Sequence, residues 1–307
     1  MRAITVAGPG LGVEAMALTD IDYPHAAEND VIVGVRAAGF TTGELTWPGT
    51  WIDRAGRDRT PSVPGHEVAG VVVELGYGTT GLTVGQRVFG LTDWARNGSL
   101  AEFTAVEARN LAALPASVDF VTAAALPISG LTSWQGLFDH GRLEVGQTVL
   151  IHGSGGGVGS IAIQLAHEAG ARVIGTGRAK DQDVVQDLGA DDFVDVESDR
   201  LDELEQVDVV FDVFGGEVFE RSLAVLRPGG RIVTIAGPPP RQPEDGQAVF
   251  FVVEPDRIRL ADLGRRLQDG RLRPIVGAVR PLAEAAAAFA PDHRVPGKTV
   301  ISVAGDD

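Results

Sequence analysis

Five glycines close together in the middle of the chain have the spacing of a phosphate-binding turn. They lie in the segment Gly153-Ser-Gly-Gly-Gly-Val-Gly159, spaced as Gly153-x-x-Gly156-x-x-Gly159. Ser154 stands where the more usual G-x-G-x-x-G pattern has its first glycine. Glycines at such positions permit a tight turn and let the backbone approach a pyrophosphate closely. We predict that this segment binds the phosphates of a dinucleotide.

The residues on either side of the turn predict the elements that must position it. An apolar, β-branched run at residues 148–151 precedes the glycines and predicts a buried parallel strand. Apolar residues at helical spacing follow, and Gly170 provides a C-terminal stop. A strand before the turn and a helix after it are the context that favours nucleotide binding over a turn that is merely rich in glycine.

The end of the next predicted strand bears on which dinucleotide binds. That strand, at residues 172–176, ends in Gly177-Arg178-Ala179-Lys180, and Asp181 is assigned to the start of the following helix. An NAD site normally places a carboxylate at this tip, whereas a guanidinium and an ammonium suit an extra phosphate. The alternative is an ordinary pair of solvated basic residues. The chain as a whole is acidic, so two cations at the end of this strand predict NADPH rather than NADH.

Composition and charge restrict the class of protein. The 307 residues are 44% hydrophobic and 22% charged, enough for a large core, and the formal net charge is −16. Such a chain is a poor partner for nucleic acid or for an anionic membrane surface. The absence of cysteine excludes disulfides, thiolate catalysis and Cys-ligated zinc. No apolar run predicts a signal peptide or a membrane span, so we expect a cytoplasmic protein.

Two kinds of sequence pattern predict an α/β protein with two domains. Residues 1–118 read as short strands and turns, which favours a small, partly open β-barrel that the strand–helix–strand tail could close. Residues 119–271 alternate strands with helices and predict a parallel sheet covered on both faces. The segment 47–64, which carries Trp47 and Trp51, is predicted to be a loop that forms a wall or lid of a pocket.

Seven segments resemble one family, in its order and over nearly the whole chain. They are Pro64–Val72, Val84–Gly90, Leu126–Gly136, His152–Gly159, Leu188–Asp191, Phe211–Gly216 and Pro228–Val233. On these segments the chain resembles the medium-chain dehydrogenase/reductase superfamily, in its zinc-independent, quinone-oxidoreductase-like branch. The resemblance implies a GroES-like β-barrel domain at 1–118, closed by 272–307, and a Rossmann-type doubly wound domain at 119–271. It also implies that substrate and nicotinamide meet in the cleft between them.

The resemblance and the residues together argue against a metal site. Zinc-dependent relatives carry a cysteine where this chain has Gly39–Gly43, and no cysteine occurs anywhere. His66 and Glu67 persist from the zinc motif, but two adjacent residues without further ligands do not make a metal site. We therefore predict that no metal binds, that His66 is structural, and that His152 orients its surroundings rather than acting as an acid or base.

Chemistry without a metal favours an activated acceptor. A quinone or an alkene conjugated to a carbonyl gives a delocalised anion on hydride addition, whereas a simple ketone needs a Lewis acid. The family implies the same substrates, and protonation by solvent is the default. Many relatives have Asn-Pro where this chain has Thr41-Thr42. Thr41 and Thr42 are therefore the predicted groups that orient the acceptor, and Trp47 is predicted to stack on it or else only to pack.

The resemblance assigns the cofactor contacts. The residues implied are Thr132, Gly153, Ser154, Gly156, Gly157, Val158, Gly159, Phe214, Gly215, Ala236, Gly237, Phe251 and Val253. The end of the strand at residues 172–176 adds Gly177, Arg178 and Lys180 to the predicted cofactor site. The predicted activity is thus an NADPH-dependent oxidoreductase that transfers a hydride to a quinone or an α,β-unsaturated carbonyl compound.

Two other functions stay open. An enoyl-thioester or biosynthetic enone reductase would need a basic entrance, which Arg54, Arg57 and Arg59 could supply. An NADPH-binding sensor or structural protein would keep the glycine turn without catalysis. The family further implies a homodimer through edge pairing of the apolar run Ala248–Val253, which would be a risk if left exposed.

Overall fold

The computed structural model describes residues 1–197, 201–290 and 295–303. Its strands are β1 (Arg2–Val6), β2 (Met16–Asp20), β3 (Asp30–Gly39), β4 (Glu67–Leu75), β5 (Arg87–Leu91), β6 (Phe103–Glu107), β7 (Leu111–Ala113), β8 (Thr148–His152), β9 (Arg172–Gly177), β10 (Asp192–Asp195), β11 (Val207–Asp212), β12 (Leu226–Thr234), β13 (Gly246–Phe250), β14 (Val276–Pro281) and β15 (Lys298–Ser302). Its α-helices are α1 (Pro48–Trp51), α2 (Phe120–Ala124), α3 (Pro127–Trp134), α4 (Gly157–Glu168), α5 (Gln182–Asp187), α6 (Gly216–Val225), α7 (Arg257–Gln268) and α8 (Ala285–Phe289). A π-helical turn, Gln135–His140, continues α3, and short 3₁₀ turns include Glu44–Thr46 and Ala179–Asp181.

The chain folds into two compact units. The first comprises residues 1–128, 255–270 and the described residues from 276 onward, and the second comprises 129–254 and 271–275. These units begin and end at other residues than the predicted domains, because 119–128 and α7 pack with the first unit. Gly264 of α7, for example, lies so close to the ring of Phe89 that a Cβ there would be 3.1 Å from it.

The first unit is the β-barrel-type domain that the sequence predicts. Its main sheet has the order β14-β15-β3-β4-β5-β7, with β6 also paired to β3, and β1 and β2 form a separate antiparallel pair. Every pairing in that sheet is antiparallel except that of β14 with β15. Fully buried valines of β3 and β4 contribute to its core, as expected for strands that are covered by other parts of the unit.

The second unit is a parallel sheet of six strands in the order β10-β9-β8-β11-β12-β13. Its central strand β8 is buried at four of its five positions, which explains its apolar, β-branched sequence. The strand order reverses direction beside β8, since β9 and β10 lie on one side of it and β11 to β13 on the other. The predicted fold class, a GroES-like domain plus a Rossmann-type sheet, is confirmed.

Two local predictions in the second unit are wrong. The run Ala248–Val253 was predicted as one strand, but β13 ends at Phe250. The backbone of Glu254 instead bonds the side chain of Gln135, with its N–H donating at 3.0 Å and its carbonyl accepting at 2.7 Å. The residue types of Pro228-Gly-Gly230 are typical of a turn, but these residues lie inside β12. None of the helices in the described ranges is both long and apolar enough to cross a membrane.

Candidate nucleotide and acceptor sites

Most of the predicted cofactor residues follow the carboxyl ends of parallel strands of the second unit. The turn 153–156 follows β8. Gly177 is the last residue of β9, and residues 178–180 come directly after it. Residues 214–215 follow β11, and residues 236–237 follow β12. The carboxyl ends of parallel strands meet at one edge of a sheet, and a nucleotide binds there where the strand order reverses. The fold therefore brings these four groups of residues to the edge where a dinucleotide is expected.

The glycine turn has a shape that only glycine allows at two positions. Gly153 has φ +68°, in the left-handed region, and a Cβ there would lie 2.7 Å from the side chain of Val213. A Cβ on Gly159 would lie 2.3 Å from the carbonyl oxygen of Gly153. Gly156 precedes α4 with extended backbone, so the N-terminus of the twelve-residue α4 opens directly from the turn. Unsatisfied N–H groups at a helix start bind phosphate oxygens.

Two residues predicted to contact the cofactor have buried side chains. Ser154 is fully buried, and its hydroxyl donates to the carbonyl of Thr176 at 2.8 Å, so its side chain ties the turn to β9. Thr132 on α3 is 4% exposed. Its neighbour Ser133 donates to the carbonyl of Val158 at 2.9 Å, which fixes α3 beside the start of α4.

The segment after β9 carries both signs of charge. Arg178 and Lys180 are exposed, as a phosphate contact requires. Asp181 folds back so that a Cβ on Gly155 would lie 2.8 Å from its carboxyl carbon, and its carboxylate accepts the N–H of Arg178 at 3.3 Å. The sequence assigned Asp181 only to the helix start, because nothing local indicates that the 3₁₀ turn directs it toward the glycines.

Buried polar groups fix the backbone of the loop after β11. The carboxylate of Asp212, which is fully buried, accepts the N–H groups of Phe214 at 2.9 Å and Gly215 at 3.0 Å. Gly215 and Gly216 both have positive φ, 68° and 56°. The ring of Phe214 is 57% exposed beside the turn, since a Cβ on Gly153 would lie 3.1 Å from it.

The last predicted cofactor segment, Phe251–Val253, is held by the π-helical turn. The ring of His140 lies 4.5 Å from that of Phe251, and Gln135 makes both of its hydrogen bonds to Glu254. Phe251 and Val253 are buried. Residues 135 and 254 are far apart in sequence, so sequence patterns gave no signal for this pairing.

His152 is a buried histidine with both ring nitrogens bonded. Nδ1 lies 3.0 Å from the hydroxyl of Thr176 and Nε2 lies 2.8 Å from that of Ser222. Ser222 donates its own proton to the carbonyl of Val218 at 2.6 Å, so its oxygen accepts from His152 Nε2–H. Burial lowers the pKa of His152 to about 4, although the charge of Asp212 opposes this. A neutral, fully bonded imidazole joins β8, β9 and α6.

These features fit the phosphates of a nicotinamide dinucleotide. The turn has no room for side chains at Gly153 or Gly159, its helix start offers N–H groups, and two exposed cations follow β9. The residues that would hold the cofactor are therefore those of the turn, of the tip of β9 and of the loops after β11 and β12.

In the first unit, a buried carboxyl fixes the segment that contains Thr41. Glu44 is fully buried, and its carboxyl oxygens accept the N–H of Gly65 at 2.7 Å and that of Thr41 at 3.4 Å. Burial raises the pKa of Glu44 to about 8, against the opposing effect of these backbone groups. Thr41 is half-buried and Thr42 is exposed. The backbone of Thr41 is thus held in place, as a residue that orients a substrate must be.

Three rings of the first unit form an aromatic cluster, which we define as Trp47, His66 and Trp94. The ring centroids of Trp47 and His66 are 6.0 Å apart and nearly parallel, whereas Trp94 meets His66 edge-on at 5.1 Å and Trp47 at 5.2 Å. Both indoles are half-buried, but His66 is only 1% exposed. Its Nδ1 lies 2.8 Å from the hydroxyl of Thr92. The segment 47–64 begins with the helix α1, so it is not wholly a loop.

Strand register explains why sequence reasoning missed Thr92 and Trp94. Glu67 of β4 pairs with Leu91 of β5, so His66 and Thr92 flank the same end of the two strands. Antiparallel register is a long-range property that no local pattern shows. Glu44 was missed because an acidic residue in a polar segment is expected to be exposed.

The persisting zinc-motif glutamate is committed to protein partners. Glu67 is fully buried, forms an ion pair with Lys298 of β15, and accepts the N–H of Ile128 at 2.9 Å. Lys298 also donates to the carbonyl of Phe40 at 3.2 Å. In the described part of the chain, no three His, Cys, Asp or Glu side chains are grouped as a metal would require.

The three arginines considered for a basic entrance all have partners. Arg54 lies 3.0 Å from the carboxylate of Asp93, and Arg57 lies 2.7 Å from that of Asp53. Arg59 donates to the carbonyl of Gly49. Their guanidinium groups are therefore partly neutralised by carboxylates or bonded to the backbone. The three arginines would bind a phosphate only weakly.

Comparison with known proteins gives two family matches and several similar proteins. Residues 27–116 match the alcohol dehydrogenase GroES-like domain, and residues 157–260 match the zinc-binding dehydrogenase family. The chain is 32% identical over 287 residues to the chloroplastic NADPH-dependent alkenal/one oxidoreductase of Arabidopsis thaliana, covering 88% of this chain and 70% of that protein. It is 36% identical over 282 residues to the spectinabilin polyketide synthase system protein NorB of Streptomyces orinoci, covering 86% of this chain but only 12% of that protein.

A solved structure agrees over the full length. The quinone oxidoreductase from Coxiella burnetii superposes with a TM-score of 0.90 at 26% identity, covering 99% of each chain. The glycine turn at a parallel sheet edge, the GroES-like unit and these similarities lead to one assignment. The chain belongs to the medium-chain dehydrogenase/reductase superfamily, in its zinc-independent, quinone-oxidoreductase-like branch.

Proposed function

We propose that this protein is an NADPH-dependent oxidoreductase that reduces quinones or α,β-unsaturated carbonyl compounds. The observation that carries the proposal is the convergence of the glycine turn and the loops after β9, β11 and β12 at one edge of the parallel sheet. The similar plant protein is named as an NADPH-dependent alkenal/one oxidoreductase, and the similar solved structure as a quinone oxidoreductase. When bound, the nicotinamide supplies the hydride.

The second unit binds and orients the dinucleotide in this proposal. Backbone N–H groups of the turn and of the start of α4 bind the pyrophosphate, and Asp212 holds the loop at 214–215 in the required shape. Arg178 and Lys180 bind the additional phosphate of NADPH, since both are exposed directly after β9. The carboxylate of Asp181 lies beside the turn and repels a bound phosphate, so a cation is needed nearby. We expect the preference for NADPH to depend mainly on Arg178, because a planar guanidinium suits a phosphate.

The first unit binds the acceptor. Hydride addition to a conjugated carbonyl leaves negative charge on its oxygen, which protein hydrogen bonds stabilise in place of a metal. Thr41 and Thr42 lie on a segment that Glu44 fixes, and Trp47 offers a half-buried indole face to a flat molecule. Solvent completes the reduction by protonating the carbon next to the carbonyl of an enone, or the oxygen of a hydroquinone anion.

A screen of cofactor oxidation tests the proposal. The purified protein is mixed with NADPH or NADH and with a quinone such as menadione, an alkenal or an aryl enone, and the loss of absorbance of the reduced nicotinamide is followed. We expect turnover with at least one of these acceptors and a preference for NADPH. Failure to oxidise NADPH with every acceptor, despite measurable NADPH binding, would instead support the sensor or structural role.

The enoyl-thioester alternative needs its own arm of that screen. The similarity to a polyketide synthase system protein favours including a thioester. The ion pairs of Arg54 and Arg57 argue against a phosphate-bearing arm at this surface. We therefore expect a free enone to be reduced with a higher kcat/KM than a crotonyl thioester, and the reverse ranking would favour the alternative.

A homodimer through the edge of the parallel sheet remains part of the proposal. β13 is the edge strand of that sheet. Ala248 lies in this strand. The side-chain amide of Gln242 accepts the N–H of Ala248 at 2.8 Å and donates to its carbonyl at 3.1 Å. A partner strand would have to replace these two bonds. Sedimentation at low micromolar concentration should show a dimer, and a monomer would contradict this part of the proposal.

A further inference from the structure

The first unit contains a cavity that is separate from the predicted cofactor and acceptor residues. Its volume is about 500 Å³, within the range of about 300–1,000 Å³ that is typical of small-molecule sites. Every residue that lines it belongs to the first unit, and none was predicted to bind the cofactor or to orient the acceptor. Its apolar walls include Ile21, Val63, Ala101 and Phe103. The ring of Phe103 packs on that of Tyr23, with 5.1 Å between the centroids, so one wall of the cavity is aromatic.

A half-buried arginine lines this cavity without a carboxylate partner. Arg59 donates from Nη1 to the carbonyl of Gly49, and from Nη2 to the amide oxygen of Asn97 at 3.3 Å. A guanidinium has five N–H groups, so three of those on Arg59 have no partner among the described residues. The two bonds that are made hold the guanidinium in place, so binding a ligand costs it little conformational entropy.

The two carboxylates whose charges act on Arg59 are paired with other arginines. Burial lowers the pKa of Arg59, and the charges of Asp93 and Asp53 oppose this effect. Asp93 lies 3.0 Å from Arg54, however, and Asp53 lies 2.7 Å from Arg57. A partly buried charge without a direct counterion is costly. An anionic ligand in the cavity would supply that counterion.

The other charged side chains of the cavity leave Arg59 as its available cation. Arg96 is neutralised by Asp30 through two hydrogen bonds, at 3.0 and 2.6 Å. Asp22 and His25 also line the cavity, but both are exposed, so water screens their charges. A ligand with a single negative charge therefore matches the cavity better than a dianion does.

A second hydrogen-bond donor lies beside the guanidinium. The amide oxygen of Asn97 accepts the N–H of Val63 at 3.2 Å, as well as the bond from Arg59. Both of these partners are donors, so they fix the orientation of the amide. Its NH₂ group keeps two protons that have no partner among the described residues. A carboxylate has two oxygens and can accept from the guanidinium and from this amide together.

We propose that this cavity is a second ligand site, which binds a small aromatic carboxylate through Arg59 and Asn97 and encloses its ring between the apolar walls. The guanidinium selects an anion, the two adjacent donors select a carboxylate, and the wall at Phe103 selects a ring. A phosphate on the outer surface would bind weakly because Arg54 and Arg57 are already paired. Arg59 differs because it is half-buried and lines a cavity. Occupation of this site requires no turnover.

Titration calorimetry with 2-naphthoate tests the site, in excess NADP⁺ so that the nucleotide site is filled. We expect a Kd below about 1 mM for wild type. The main variant is Asn97→Asp, whose carboxylate still accepts from Val63 and Arg59 but gives the guanidinium an internal counterion and removes the NH₂ donors. Its Kd should rise at least about tenfold, while its unfolding midpoint in urea should be no lower than that of wild type.

A second variant and two controls separate binding at this site from binding elsewhere. Arg59→Met removes the guanidinium and should raise the Kd at least about tenfold as well. Arg109→Met is the matched control, because this exposed arginine of the same unit pairs with Glu107 and does not line the cavity. Its Kd should stay within about twofold of wild type. The neutral 2-naphthamide has the same shape as 2-naphthoate and should bind wild type at least about tenfold more weakly.

The proposal fails on clear results. Equal Kd values for 2-naphthoate in wild type and Asn97→Asp would overturn it, and so would equal Kd values for 2-naphthoate and 2-naphthamide. No binding of 2-naphthoate, benzoate or salicylate to wild type at concentrations up to about 10 mM would overturn it too. These outcomes do not depend on whether the protein oxidises NADPH, so they are independent of the test of the proposed function.

Discussion

The two units each bury a histidine, and the two histidines are used differently. His152 of the second unit joins β8 to β9 and α6 through both ring nitrogens, whereas among the described residues His66 of the first unit is bonded through Nδ1 alone. The glycine turn of the second unit consists of glycines and backbone groups, and the polar side chains near it form hydrogen bonds that hold its shape. The aromatic cluster is instead built from side chains, and Nε2 of its histidine has no hydrogen-bond partner among the described residues. A buried polar group whose hydrogen bonds are all made contributes to the fold, whereas one without a partner needs a separate explanation.

The largest effect should come from adding one carbon to the nucleotide turn. In Gly159→Ala the Cβ would lie 2.3 Å from the carbonyl oxygen of Gly153, whereas in Gly156→Ala it would lie 3.1 Å from the same atom. We expect Gly159→Ala to lower the free energy of unfolding in urea by about 3 kcal/mol and to abolish NADPH binding, against about 1 kcal/mol or less for Gly156→Ala. Similar losses for both variants would show that steric fit at Gly159 is not what shapes the turn.

Removing the two imidazoles tests the comparison directly. His152→Phe leaves the hydroxyl of Thr176 without its acceptor and breaks the link to Ser222, so we expect a loss of about 2 kcal/mol in the free energy of unfolding. His66→Phe breaks one hydrogen bond and removes a ring nitrogen that has no partner among the described residues, so its loss should be about 1 kcal/mol or less. Urea unfolding of both variants measures the difference. A larger loss for His66→Phe would contradict the distinction between the two rings.

The stability of the protein should fall between pH 6.5 and pH 8 because of Glu44. Burial raises the pKa of this carboxyl to about 8 in the folded state, so the folded protein binds a proton that the unfolded chain, titrating near its ordinary value, has lost. The free energy of unfolding therefore decreases with rising pH in this window, by about 1–2 kcal/mol. Glu44→Gln, which keeps the neutral shape, should be flat there. A flat wild-type profile would mean that Glu44 is already ionised near neutral pH.

The buried histidines act in the acid range with the opposite sign. The pKa values of His66 and His152 are lowered to about 3 and about 4, so the unfolded chain binds protons below pH 6.5 that the folded protein does not. Stability should therefore be lost as the pH falls from 6.5 toward 4. Unfolding midpoints of His152→Phe over this range should depend less steeply on pH than those of wild type.

The smallest expected effect concerns the choice of cofactor. Arg178→Ala should lower kcat/KM with NADPH about tenfold and leave that with NADH unchanged, because we propose that the guanidinium contacts only the additional phosphate. Arg241→Ala is the control, since this exposed arginine of the same unit pairs with Glu220. Equal losses of kcat/KM with NADPH and NADH would mean that Arg178 does not bind the additional phosphate.

How far the sequence predicts this molecule differs between the two units. The turn from Gly153 to Gly159 and the alternation of strands and helices are local patterns, and the structure confirms the fold that they predict. The aromatic cluster depends on the pairing of Glu67 with Leu91, a contact between separate segments, so Trp94 and Thr92 were absent from the prediction. His66 was predicted to be structural, and its bond to Thr92 agrees with that. That His66 Nε2 has no partner among the described residues can be seen only from the structure.

The fate of the transferred hydrogen tests the central claim most directly. NADPH deuterated at the hydride-donating carbon of the nicotinamide, on one face or the other, is oxidised by the protein with benzylideneacetone, and the saturated ketone is examined by NMR. We predict that one of the two labelled cofactors places a single deuterium on the carbon β to the carbonyl, while the neighbouring carbon takes its hydrogen from water. Product without deuterium from either label, or NADPH that binds without being oxidised, would contradict direct reduction of a conjugated carbonyl.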